Sequence, residues 1–157
     1  MPIGTRCSLP GSPDCSAATR PPPTREDVHN LTEEVRLVLP ARPELVGVAR
    51  LTAASLAGTI DFSLNEIEDL KIAVEELCHQ LIASGGNTGS LTLTYRVGAD
   101  TLEVIGTGPS TGPKAPDLPS PHPLSNRILE AVTDDYALDL GHDLAHFRLV
   151  KRRAARV

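Results

Sequence analysis

A chain of 157 residues that is 40% hydrophobic has the size of one domain with a real core, and two compact domains would be a stretch. With no Trp and only two each of Phe and Tyr, that core must be aliphatic, and the aromatics on which single-stranded bases stack are too few for a nucleic-acid platform. A formal net charge of −5 argues against a polyanion as the main partner and for a basic one.

Residues 1–31 mix Pro with Ser, Thr, Gly and charges and show neither helical nor strand periodicity. So little apolar area cannot offset the entropy of ordering, and the segment reads as a disordered tail ahead of a domain over 32–153. It holds no signal-peptide-like hydrophobic run, and no stretch of the chain approaches the ~20 apolar residues of a membrane span. The expected location is the cytoplasm, where Cys7, Cys15 and Cys78, which form no metal-ligand pattern, are expected as reduced thiols.

From Glu34 the pattern changes. Val35, Leu37 and Leu39 alternate as a strand that ends at Pro40. Pro43 and Glu44 suit the first turn of a helix, and Leu45, Val48, Ala49, Thr52 and Leu56 recur at helical steps up to a stop near Gly58. The clearest signal follows: Ser63 and Glu66 are spaced as a capping box, and Ile67, Leu70, Val74, Leu77 and Leu81 form one apolar stripe that Gly85 and Gly86 end. Leu91, Leu93 and Tyr95, a turn through Gly98, and Leu102 to Ile105 predict a hairpin. The stretch from Gly106 to Pro123 is rich in Pro and Gly and reads as a loop. Leu124 to Thr133 predicts a short helix, and Tyr136 to Leu140 and Phe147 to Lys151 predict two further strands. The basic run Lys151, Arg152, Arg153 and Arg156 reads as a solvated end. Helices gathered on one face of a mixed, mostly antiparallel sheet make an α+β two-layer sandwich.

The segment Asp69-Leu-Lys-Ile-Ala-Val-Glu-Glu-Leu-Cys-His-Gln80 resembles the helix of the RsbW and SpoIIAB anti-sigma factors, which belong to the GHKL group of ATP-binding folds. Within that family the likeness is nearest to the actinobacterial sigma-F inhibitors of the UsfX type. The resemblance covers roughly residues 34–152. It implies a general-base carboxylate at Glu76 and a magnesium ligand at Gln80, where the family has Asn. Side chains four apart stack on one helical face, so the spacing is physically sensible, although such a pair on its own is usually a solvated face. The resemblance also implies partner binding on the first helix, at Arg50 and Val46; without it Arg50 is an ordinary surface charge.

The nucleotide pocket that the resemblance implies is eroded. Gly106 stands where the family has the Asp that hydrogen-bonds adenine, and of the cofactor-binding set only Gln80, Gly106 and Gly108 remain for Mg-ATP. Pro121, His122 and Pro123 occupy the place of a glycine-rich lid, and prolines lack the N–H such a lid donates. Leu144 and Ala145 replace a Gly-Thr pair. The extra methylene of Gln80 shifts its carbonyl oxygen from where a demanding octahedral magnesium site needs it. His142 and His146 lie across a turn and a strand and do not read as a metal pair, and His79 reads as a helix-surface histidine.

What the resemblance implies is a homodimeric anti-sigma factor. It sequesters an alternative sigma factor of the sigma-F or sigma-B type and is released by an anti-anti-sigma antagonist of STAS type, with no membrane and no direct nucleic-acid role. The alternative is an active serine/threonine protein kinase acting on the anti-anti-sigma protein, with Glu76 as base and Gln80 on magnesium. An adaptor domain of the same fold without a sigma partner is the third reading.

Overall fold

The computed structural model describes residues 33–111, 123–141 and 144–155; the tail reading over 1–31, with Cys7 and Cys15, lies outside them, as do Pro121, His122, His142 and Arg156. Five strands form one sheet in the order β1-β2-β3-β5-β4: β1 (Glu33–Pro40), β2 (Ser90–Val97), β3 (Thr101–Pro109), β4 (Asp135–Asp139) and β5 (Leu144–Arg152). All four pairings are antiparallel, so among the described residues the sheet is uniform rather than mixed. Three helices, α1 (Val46–Thr59), α2 (Leu64–Ser84) and α3 (Pro123–Val132), complete the α+β sandwich.

Period-two alternation decides which face of the sheet is covered. Leu91, Leu93, Tyr95 and Val97 of β2, Leu102 and Val104 of β3, and Ala145, Phe147 and Leu149 of β5 are buried under the helices. Helix α1 lies against α2 and β2, and α2 against β3 and β5. The opposite face carries a row of alternating charge that crosses all five strands. Arg96 bonds Glu34 at 3.1 Å and Glu103 at 3.4 Å, while Arg148 bonds Glu103 on one side and Asp135 at 3.1 Å on the other.

The sequence locates α2 closely. Ser63 Oγ accepts from the Glu66 N–H at 3.3 Å, and Glu66 Oε2 accepts from the Ser63 N–H at 2.7 Å, which completes the capping box and starts the helix. Leu70, Val74, Leu77 and Leu81 are fully buried, with Ile67 only partly so.

Four expectations need correction. Pro43 opens a short 3-10 turn, Pro43–Leu45, and the α-helix proper begins at Val46. The buried line of α1 is Val46, Ala49, Ala53 and Ala57, one position round from the expected stripe, and Val48 is 43% exposed. Small alanines let α1 sit close to the sheet, a closeness fixed where the Tyr95 hydroxyl donates to the Ala49 carbonyl at 2.8 Å. The expected loop at Gly106 starts later, because β3 runs to Pro109 paired with Leu144. Lys151 is not a solvated end: it is 9% exposed, and its ammonium donates to Asp69 Oδ2 at 3.2 Å and to the Val132 carbonyl at 2.9 Å, tying β5 to α2 and to the last turn of α3.

Candidate functional site

Helix α2 presents Glu76 and Gln80 one position off its buried stripe, both half-buried. The stacking expected of residues four apart is there, since Gln80 Nε2 donates to Glu76 Oε1 at 3.3 Å. That bond turns the amide so that Gln80 Oε1 is buried with no donor. The chemistry left at this end is one carboxylate and one unpartnered amide oxygen, a sparse donor set for a cation that demands six oxygens.

Gly106 and Gly108 lie on the helix-covered face of β3, and their surroundings differ. Gly106 is paired directly with Phe147 of β5. A Cβ built on Gly106 would fall 2.6 Å from Cζ and 2.8 Å from Cδ1 of the Phe147 ring and nearer still to Cε1, so the phenyl group fills the place of any side chain there. At Gly108 a Cβ would make ordinary contacts, 3.5 Å to Leu81 Cβ and 3.6 Å to Leu91 Cδ1. Close by, β3 is bound to the end of α2: a Cβ on Gly85 would lie 2.6 Å from the Pro109 carbonyl oxygen, and Thr111 donates its N–H and hydroxyl to the Ser84 carbonyl.

On α1, Arg50 Nη1 donates to Glu75 Oε2 at 2.6 Å, joining the two helices; the side chains are 37% and 41% exposed. Ion pairs this open contribute about 0–1 kcal/mol, so the pair orients the guanidinium more than it stabilises the fold. The Nε of Arg50 is buried without an acceptor. Val46, the other expected partner-binding residue, is 3% exposed, so its side chain belongs to the core and offers a partner nothing. The exposed apolar side chains of this helix are instead Val48 at 43% and Leu51 at 64%. Arg50 is the only charged residue between Val46 and Thr59.

Two residues of this region escape a reading of the sequence. Glu75 pairs with Arg50 across 25 positions, and nothing local distinguishes it from its neighbour Glu76. Phe147 faces Gly106 only through the register of β3 and β5; a lone Phe in an alternating strand was the one available hint. Cys78 is fully buried, and burial first, with the Glu75 charge second, pushes its thiol up to about 12. His79 and His146 are exposed, and no group of three or more His, Cys, Asp or Glu stands ready to hold a metal among the described residues.

No family model matches the chain. It is 37% identical over 75 residues to the serine-protein kinase RsbW of Bacillus licheniformis, covering 45% of this chain and 47% of that protein. To the RsbW of Bacillus subtilis it is 37% identical over 79 residues, 48% and 49% of the two chains, and to that of Bacillus pumilus 38% over 76 residues, 45% and 47%. The chain thus spans about half the length of the curated relatives it matches. Among the described residues no helix is long and apolar enough to cross a membrane.

Proposed function

We propose that the chain is a cytoplasmic anti-sigma factor of GHKL type, nearest in kind to the actinobacterial sigma-F inhibitors. As a homodimer it sequesters an alternative sigma factor of the sigma-F or sigma-B type and is released when an anti-anti-sigma antagonist of STAS type takes the same surface. The observation that carries this reading is α1. Where it meets α2, Arg50 is held by Glu75 at 2.6 Å and stays 37% exposed, so it offers a partner one directional donor, while Val48 and Leu51 expose apolar area elsewhere on the same helix. The class of partner is what the resemblance of the helix over 69–80 to the RsbW-type anti-sigma factors implies, and the chain's similarity to RsbW proteins supports that resemblance. Exchange of two partners on one surface needs only a difference in affinity, with no reaction.

The pocket for Mg-ATP is degenerate on this reading, and the residues present do not fit that group. The base end at Gly106 is filled by Phe147, and the metal end keeps one carboxylate and one amide oxygen. The second reading, a serine/threonine protein kinase, draws on the printed name of the relatives and on the shared helical face of Glu76 and Gln80.

The test mixes the purified chain with each alternative sigma factor of its source organism, without nucleotide. A stable complex is expected, with affinity lowered at least tenfold by Arg50→Ala. Unchanged affinity removes Arg50 from the surface, and absence of any complex removes the anti-sigma reading. Transfer of phosphate from Mg-ATP to an antagonist serine, lost in Glu76→Ala, would put the kinase reading first.

A further inference from the structure

One row across the covered face of the sheet runs through Leu37, Leu93, Gly106, Phe147 and Leu138, each paired with the next. Gly106 and Phe147 are its centre, and both are buried. The ring is fully enclosed, and it stands so close over Gly106 that even a methyl group there would force the ring to shift. The neighbouring glycine of β3 is unlike it, since Gly108 has room for a methyl group against Leu81 and Leu91. The closure is therefore specific to one position and comes from one side chain.

We infer that Phe147 is a built-in steric plug: its phenyl ring occupies the flat apolar seat beside Gly106 that a purine would need, so a nucleotide is excluded by volume and not only by missing polar groups. This rests on the reading above, in which Gly106 marks the base end of a degenerate pocket, and it adds the residue that closes it. Two consequences separate a plug from mere erosion. Restoring a carboxylate with Gly106→Asp in the native chain gains no ligand, because the new side chain meets the ring. Shrinking Phe147, by contrast, vacates a seat of the thickness and apolar character of one aromatic ring, which suits adenosine better than a phosphate or a metal ion.

The experiment uses the full chain with adenosine and Mg-ATP as probes, read by calorimetric titration and by amide chemical shifts. The wild type and Gly106→Asp are expected to show no saturable binding at millimolar probe. Phe147→Ala is expected to bind adenosine at least tenfold more tightly than the wild-type limit, and Phe147→Ala with Gly106→Asp more tightly again. Should Phe147→Ala fail to fold, Phe147→Leu takes its place. Leu149→Ala is the control, because it opens a void one row along, against Val104 and away from Gly106, and is expected to gain nothing. A folded Phe147 variant with no gain, or an equal gain in Leu149→Ala, overturns the plug and leaves the degenerate-pocket reading standing. Saturable Mg-ATP binding by the wild type overturns both.

Discussion

Gly106 and Phe147 should behave in unfolding as one unit, and a double-mutant cycle measures this. In the native chain Gly106→Ala drives a methyl group into the Phe147 ring. Overpacking of this kind costs about 1–3 kcal/mol. It is offset by about 0.5–1 kcal/mol, because glycine is a poor residue for a strand interior. A net loss of about 1–2 kcal/mol is expected. Phe147→Ala empties a fully buried site and should cost about 3–5 kcal/mol. With the ring gone, the methyl at position 106 enters the void, and only the strand preference remains. The same Gly106→Ala change should then stabilise by about 0.5–1 kcal/mol. The coupling is about 1.5–3 kcal/mol, with the double variant more stable than the two single losses predict. Urea denaturation followed by far-ultraviolet circular dichroism is the assay, since the chain has no Trp to report by fluorescence. Additivity within about 0.5 kcal/mol, or a Gly106→Ala effect of the same sign in both backgrounds, refutes the close packing on which the argument depends.

Further expectations concern the rest of the domain. Lys151→Met keeps the buried stem but removes the ammonium that holds Asp69 and the Val132 carbonyl; it should cost about 1–3 kcal/mol, most of it from the carbonyl bond because Asp69 stays 39% exposed. Hydrogen exchange should speed up at the end of α3 in that variant, and unchanged protection there would count against the tie. Glu66 accepts from the Ala154 and Ser63 N–H groups, and these bonds, the Ala154 bond foremost, hold its carboxyl below its ordinary value. A carboxylate depressed in the folded state adds stability that is present above that value and lost as pH falls through the folded one. Glu66→Gln should therefore narrow the gap in thermal midpoint between pH 7 and pH 3, and an unchanged gap would remove Glu66 as its source. Cys78, with its buried thiol pushed up to about 12, should not react with a thiol reagent at pH 8 in a Cys7→Ser, Cys15→Ser background until urea is added; prompt native-state labelling would contradict its burial.

Local chemistry made much of this fold readable. The start of α2 follows from two residues three apart, and the hairpin from alternation around Gly98, because caps and turns are decided within a few positions. The misreadings share a different cause. Gly106 and Gly108 look like chain breakers until β5 is known to lie beside them, where the missing Cβ of Gly106 makes room for a ring. The buried line of α1 consists largely of alanines, whose weak apolar signal lets Val48 suggest the wrong face. Lys151 looks terminal and solvated, yet alternation along β5 turns it inward beneath the end of α3. At the site, the spacing of Glu76 and Gln80 is a helical regularity and was legible. The pairing of Arg50 with Glu75 depends on how two helices meet, which no window of sequence contains.

The charge row on the uncovered face has a consequence for how the first strand finds its place. β1 joins a partner some 62 residues away, as Glu34 and Arg96 show, and a slip of two positions would still turn Val35, Leu37 and Leu39 toward the helices. Apolar burial alone cannot tell the two alignments apart. The salt-bridge row can, because a slip in one direction would set Arg36 opposite Arg96, where like charges repel, and a slip in the other would take Glu34 from its place opposite Arg96. A surface that adds little to stability thus favours the native register over two-residue slips that the interior alone would accept.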